Sequence, residues 1–369
     1  MSARVGLWLG ICFGIAFLTG LYSHFSQDTP SWLPLPTRPV WLYRVGQGIH
    51  VTTGVAAVPL LLVKLWAVYP KLFQRVPRRP WRHVVLHGLE RGSIAVLVAA
   101  AIFELASGLA NTAVWYPWAF HFRATHYAVG WLAVGALLVH IGVKLPVIRA
   151  ALGADVDADL DSTSAPRARS TRGLTRRGLL RTTWVSAAVA VTSTVGMNEP
   201  LLRPISVLGV RSGHGPEGVP IKKTAHEVSV TAAALQPAYA LQIVNGARQM
   251  SLTRDELERL PQTAARLPIA CVEGWAASGE WEGVRIRDLL DRVGAPRGAE
   301  IRVSSLQRHG PFRATSMPAE FADDPLTLLA LRLDGDDLSI DHGYPCRVIA
   351  PARPGVLQTK WVARIEVMT

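Results

Sequence analysis

The chain has 369 residues, 49% apolar and only 18% charged, against roughly 25% charge in ordinary soluble domains. This composition excludes disordered, collagenous and coiled-coil chains and argues against a protein soluble throughout. The formal charge of +12 is uneven: residues 1–215 carry net +13 and residues 216–369 net −1, so the excess lies beside the long apolar runs, as lipid-facing loops require, and not on a nucleic-acid surface.

Four apolar runs, residues 5–22, 45–69, 84–111 and 126–148, reach the roughly 20 residues that cross a bilayer. A shorter, more polar fifth run covers 182–197. With three spans following it, the first run reads as a retained helix and not a cleaved leader. Lys71, Arg75, Arg78, Arg79 and Arg82 lie between the second and third runs, and Arg91 lies near the start of the third, on the same side. Arg149, Arg167, Arg169, Arg172, Arg176, Arg177 and Arg181 follow the fourth, whereas the other two loops hold only Arg38, Arg44 and Arg123. The positive-inside bias predicts a cytoplasmic N-terminus and, after a fifth crossing, residues 200–369 outside.

Histidines within the spans predict what the bundle holds. His126 and His140 share one face of the fourth run. His50 lies near the outer end of the second, and His87 near the inner end of the third. Two cross-helix pairs at matching depth follow, His50 with His126 and His87 with His140. Ionisable groups inside spans are costly and usually functional, and imidazole is a common axial ligand of haem iron. His83, one turn from His87, could replace it. This arrangement resembles the two-haem membrane cytochromes b, and the resemblance implies two b-type haems exchanging electrons with the quinone pool. Glu104 reads as either a proton relay or a snorkelling carboxylate, and Lys64 as a snorkelling cation.

Residues 150–181 form a charged linker with disordered composition. It ends in Thr175-Arg176-Arg177-Gly178-Leu179-Leu180-Arg181, which reads either as an internal twin-arginine export signal or as ordinary positive-inside residues. Residues 199–219, rich in Gly and Pro, form a tether. Gly209, Gly213 and Gly215 lack the strand and helix context of a dinucleotide site.

From residue 220 the pattern becomes α+β. Strands are predicted at 239–244, 268–272, 301–306, 326–333, 346–350 and 361–367. A capping box from Thr253 to Glu256 opens one short helix, and a second near 285–293 stops at Gly294. The predicted organisation is a four-helix transmembrane domain (1–149), the linker (150–181), a fifth segment (182–198), the tether (199–219) and an outer domain (220–369).

Two segments of the outer domain carry chemistry. One is Leu267-Pro-Ile-Ala-Cys271-Val-Glu-Gly-Trp275, and the other runs from Asp341-His-Gly-Tyr-Pro-Cys-Arg347 through Arg353 to Lys360-Trp361. Cys271 ends a predicted strand at a Gly-containing turn, where a thiolate is a soft ligand for a soft metal centre. Cys12 and Cys346 read as small buried hydrophobes, and the three cysteines, with no CxxC pair, provide neither a disulfide framework nor structural zinc.

The paired segments resemble the sulfite-oxidase-type molybdopterin family over nearly all of 220–369. The resemblance implies that Cys271 ligates molybdenum and that His342, Arg347 and Lys360 contact the pterin cofactor, with Arg353 a weaker candidate. Trp275 and Trp361 read as packing. His309 faces either the substrate pocket or a surface loop. Animal-type sulfite oxidases carry an arginine after the cysteine, and here Glu273-Gly-Trp-Ala-Ala277 has none. The likeness is closer to a bacterial exported branch, in which a molybdopterin subunit takes electrons from a haem-bearing membrane subunit and reduces protein methionine sulfoxide. The expected fold is thus a multi-pass helical membrane bundle joined to an α+β molybdopterin-binding domain. The expected activity is oxygen-atom transfer outside the membrane, with reduction of a small or protein-bound S- or N-oxide preferred. A sulfite-type oxidase and a non-catalytic electron-transfer protein are the alternatives.

Overall fold

The computed structural model describes residues 2–30, 32–72, 81–154, 175–197, 200–209, 215 and 218–368. The chain divides into two compact units. The first comprises Met1–Leu21, Ile49–Gly196 and Pro200–Gly209, and the second Tyr22–Gly48, Met197–Glu199 and Val210–Thr369.

Five helices supply the first unit: α1 (Ser2–Gln27), α2 (Leu42–Leu72), α3 (Trp81–Thr112), α4 (Phe122–Gly153) and α5 (Arg176–Thr194). The first four contain stretches long and apolar enough to cross a membrane. They extend past the apolar runs because a helix continues until a cap or breaker stops it. Pro146 lies inside α4 without ending it. Aromatic edges join α1 to its neighbours, Phe17 to Trp131 of α4 and Trp8 to Trp184 of α5, both with ring centres 4.9 Å apart. Lys64, read as a snorkelling cation, donates to Ser2 O at 3.0 Å. The sequence places the start of the fifth run at residue 182. In the structure α5 starts at Arg176, because Thr175 caps it by accepting from Gly178 N at 3.0 Å. The paired arginines therefore occupy the first turn of a helix. Most of the linker, residues 155–174, lies outside the described residues.

The second unit is built on two sheets. Its elements in order are α6 (Thr231–Ala234), β1 (Ala240–Asn245), β2 (Arg248–Thr253), α7 (Arg254–Glu258), β3 (Thr263–Ala270), β4 (Ala276–Arg285), α8 (Ile286–Arg292), β5 (Ile301–Ser305), β6 (Ala314–Met317), α9 (Ala319–Ala322), β7 (Leu328–Leu333), β8 (Asp336–Asp337), β9 (Arg347–Ile349) and β10 (Val362–Val367). One sheet has the order β2-β1-β10-β5-β6, and the other β3-β4-β7-β8, with β9 also on β7. Among the described residues only β1 and β10 pair in parallel, with Ile243 opposite Ile365. The predicted capping box is present with both arms at Thr253 and Glu256. Gly294 follows α8 at φ +65°, where glycine alone avoids a Cβ penalty.

The pleat of β7 explains how one sheet is buried on both faces. Leu329 and Leu331 enter a cluster with Ile243, Ile301 and Ile365. Leu328 and Ala330 enter a second cluster with Leu267, Trp281, Trp275 and Cys271. The end of α1, the loop after it and the first residues of α2, Tyr22–Gly48, also belong to this unit. Arg38 pairs with Asp324 at 2.9 Å, Ala352 N donates to Val40 O, and Gln47 Nε2 donates to Val272 O at 3.1 Å.

Arg287 on α8 is the unit's main buried ion-pair centre. It meets Asp323 at 2.8 Å and Asp291 at 2.9 Å, and donates to Ala295 O and Pro296 O. Burial raises the Asp323 carboxyl, but the Arg287 guanidinium and the Gly298 N–H outweigh this and hold it below the usual range. Its contribution is therefore present at neutral pH and lost as pH falls through the lowered value. Arg287→Met leaves these partners without their donor and is expected to cost about 3 kcal/mol. Thermal melting of the second unit checks this, and an unchanged midpoint refutes it.

Candidate active site

Cys271 follows β3 directly, in a turn closed by Cys271 N donating to Trp275 O at 2.9 Å and Gly274 N donating to Cys271 O at 3.2 Å. Gly274 adopts φ +87°, a conformation that suits glycine. The turn places the Cys271 side chain, 3% exposed, among Trp275, Leu267 and Ile269. Burial pushes its thiol up to about 11, opposed by the nearby Lys222 ammonium. A metal that binds the thiolate supplies the charge compensation that this apolar pocket lacks. Glu273 is 1% exposed, its Oε2 is 3.6 Å from the Cys271 sulfur, and it forms an ion pair with Lys222.

Three of the four predicted cofactor-binding residues converge. Arg347 Nη1 donates to His342 O at 3.0 Å and Nη2 to Gln358 O at 3.3 Å, with its guanidinium 5.0 Å from the Trp281 ring centre. Lys360 Nζ donates to Lys223 O and to Asp341 O at 2.8 Å. His342 Nε2 donates to Val219 O at 3.0 Å. Residues 219–223 thus touch both this basic cluster and the Glu273 side of Cys271.

Burial lowers all three basic groups, Arg347 to about 9, Lys360 to about 7 and His342 to about 4. Arg347, 3% exposed, has backbone carbonyls for hydrogen-bond partners, and its Nε has none among the described residues. A buried guanidinium without a carboxylate is costly unless an anion joins it. An anionic phosphate would restore the charged form of Lys360 and occupy the guanidinium fork. The donor set therefore fits a phosphate-bearing cofactor with a soft metal beside Cys271. The buried Trp275 indole N–H, which lacks a hydrogen-bond partner among the described residues, adds a free donor.

The remaining predicted residues lie elsewhere. Arg353 is buried, but it donates to Ser316 O and Leu357 O and covers the Phe321 ring at 5.2 Å. Cys346 is fully enclosed beside the Tyr239 hydroxyl. Trp361 is a packed core residue with its N–H donated to Ile340 O, and His309 sits exposed in a turn. The sequence reading missed Lys222 and Asp341. A Lys-Lys pair just past the tether carries no spacing signal, and Asp341 joins the site through its backbone carbonyl to Lys360 and its carboxylate to Ala225 N, which the motif does not announce.

Within the first unit, the His50 and His126 rings lie 6.3 Å apart, centre to centre, at 77°. Two metal–imidazole bonds of about 2 Å, plus about 1.2 Å from each nitrogen to its ring centre, give a similar separation. The Nδ1 of His50 is 2.8 Å from Ala16 O, and that of His126 is 3.0 Å from Ser107 Oγ. Such contacts orient axial imidazoles. The Nε2 of His126 lies 3.1 Å from Glu104, which a metal on that nitrogen would displace. A Cβ at Gly20 would crowd the His50 ring. The His50–His126 geometry thus fits an axial pair. Of the other predicted pair, His140 lies on α4 and His87 on α3, with the His87 side chain outside the described residues, as is that of His83.

Comparison with known proteins finds similarity in the C-terminal part of the chain. Residues 227–369 match the family model "Oxidoreductase molybdopterin binding domain". Mitochondrial sulfite oxidase of Drosophila melanogaster is 31% identical over 159 residues, covering 35% of this chain and 27% of that protein. The "Putative protein-methionine-sulfoxide reductase subunit YedZ1" of Azospira oryzae is 32% identical over 120 residues, covering 31% of this chain and 43% of that one. Barley nitrate reductase [NADH] (Hordeum vulgare) is 38% identical over 109 residues, covering 26% of this chain and 12% of that protein. The chain therefore spans less than half the length of each of these relatives. Residues 227–369 thus match an oxidoreductase molybdopterin-binding domain, and the same chain has four helices apolar enough to cross a membrane.

Proposed function

We propose that the chain is a membrane-anchored molybdenum oxidoreductase that reduces an S- or N-oxide, such as methionine sulfoxide, on the extracytoplasmic face. Its electrons come from quinol through b-type haems. One observation carries the reading: a buried thiol and a largely enclosed cluster of the basic groups His342, Arg347 and Lys360, both bordered by residues 219–223. Such a set suits one soft metal and one anionic cofactor.

Molybdenum supplies two-electron redox chemistry and oxygen-atom exchange when bound, and the protein provides its ligand, orientation and field. Cys271 holds the metal, while Arg347, Lys360 and His342 hold the cofactor's polar groups. Trp275 and Trp281 exclude water from the turn. The reaction consumes the oxide, two electrons and two protons, and releases the reduced substrate and water. The absence of an arginine in Glu273-Gly-Trp-Ala-Ala277 favours a neutral oxide over sulfite, since no guanidinium there awaits an anion. His50 and His126 would hold one haem, and His87 with His140 a second. The topology follows from the basic loops, and the arginine pair at the start of α5 suits export of an already folded domain.

Metal analysis and a redox-dye assay on the full chain in detergent test this reading. Bound molybdenum with dye-driven reduction of methionine sulfoxide or an N-oxide is expected. Absence of molybdenum, or turnover with sulfite alone, overturns it.

A further inference from the structure

The stretch 219–225 precedes the residues matched by the family model, yet it makes four contacts with the candidate site. Val219 O accepts from His342, Lys223 O accepts from Lys360, and Ala225 N donates to Asp341 Oδ1 at 2.7 Å. The fourth contact is the ion pair of Lys222 with Glu273. Val219 and Ala225 are buried, while the Lys222 side chain remains 40% exposed as it reaches inward. This stretch, which continues the tether past residue 219, is thereby a wall of the site.

Charge explains why a lysine is needed there. Glu273 is almost fully enclosed and close to the Cys271 sulfur. Two anionic groups this close in a poorly polarisable setting repel strongly. A buried carboxylate persists as an ion only when paired, and Lys222 is the cation that pairs with it.

We propose that Lys222 is a positioning residue of the molybdenum site, a counter-charge from the tether that holds Glu273 in place and sets the metal's reduction potential. The proposal rests on Cys271 as the metal ligand. Net charge near a redox centre moves its potential. Removing the lysine leaves uncompensated negative charge, which favours the more oxidised metal and lowers the potential. Removing the glutamate does the reverse. Neither group has to change its protonation.

The test uses molybdenum-loaded full-length protein in detergent, with Lys222→Met, Glu273→Gln, the double variant and Lys222→Arg. Midpoint potentials come from a redox titration followed by the molybdenum(V) paramagnetic signal, alongside metal content and melting temperature. Lys222→Met is expected to shift the midpoint down and Glu273→Gln to shift it up. The double variant should return near wild type, and Lys222→Arg should stay there. The two single losses in melting temperature should exceed the loss in the double variant when summed, a coupling read without the metal. A loaded Lys222→Met protein with an unmoved midpoint overturns this proposal alone. Loss of molybdenum from both the Lys222→Met and double variants also overturns it, since the tether would then act through something other than this charge. A wild-type protein without molybdenum overturns both this proposal and the reading of Cys271.

Discussion

Cys271→Ser is expected to abolish oxide reduction while the chain still folds and inserts. The side chain is 3% exposed, in a turn held by backbone bonds from Cys271 N and Gly274 N, so exchanging sulfur for a slightly smaller oxygen leaves the turn intact. A hydroxyl at this position can donate to Glu273. On the proposed role of Cys271, what changes is the ligand: a neutral, hard oxygen would replace a soft anionic sulfur. Loss of outer-shell partners alone costs about 10–100-fold at metal sites, so replacing the ligand should exceed about 100-fold. Cys346→Ser is the control. That thiol, pushed up to about 12 by burial, lies beside the Tyr239 hydroxyl and Val362 O. A serine there keeps both partners and should cost about 1 kcal/mol without loss of turnover. Metal content, dye-coupled activity and melting temperature of both variants decide the matter. Equal activity losses would mean that the wrong thiol has been assigned to the metal.

The legible parts of the fold were those whose signal is local. Four apolar stretches, the capping box at Thr253 and the stop at Gly294 are properties of neighbouring residues. Strand β4 was missed because its sequence, with Gly279 and Gly283, has poor strand propensity. Tertiary packing explains the glycine: a Cβ on Gly283 would collide with Leu329 O on β7, so close approach of the strands outweighs propensity. Strand β2 was missed because its Arg-Gln-Met start is an exposed edge with no apolar alternation. In the site, Cys271, His342, Arg347 and Lys360 were visible through two motif segments and lie where the second unit gathers its buried cations. Arg353 belongs to the same segment, yet the chain carries it onto Phe321. Lys222 was invisible because its partner is distant in sequence and only the folded chain joins them.

His50→Leu and His126→Leu are each expected to remove one haem, and the same one. Their ring centres lie 6.3 Å apart, a separation suited to a shared iron, and both residues belong to the first unit, whereas Cys271 belongs to the second. A macrocycle held by two axial imidazoles loses half its protein ligation when either is removed. Leucine fills the space without offering a nitrogen, and it suits an apolar helix. The double variant should therefore bind no less haem than either single one, because both substitutions act on one group. Ser107→Ala should have a milder effect: it removes the contact to His126 Nδ1 and so loosens the ring's orientation while leaving the ligating nitrogen. His140→Leu should remove the other haem, so that combining it with His126→Leu empties the protein. A pyridine haemochrome titration counts haem per chain, and molybdenum analysis of the same samples shows whether the second unit is untouched. Additive losses from His50→Leu and His126→Leu would place the two imidazoles on different irons, and full haem retention in either variant would remove that residue from the ligand set.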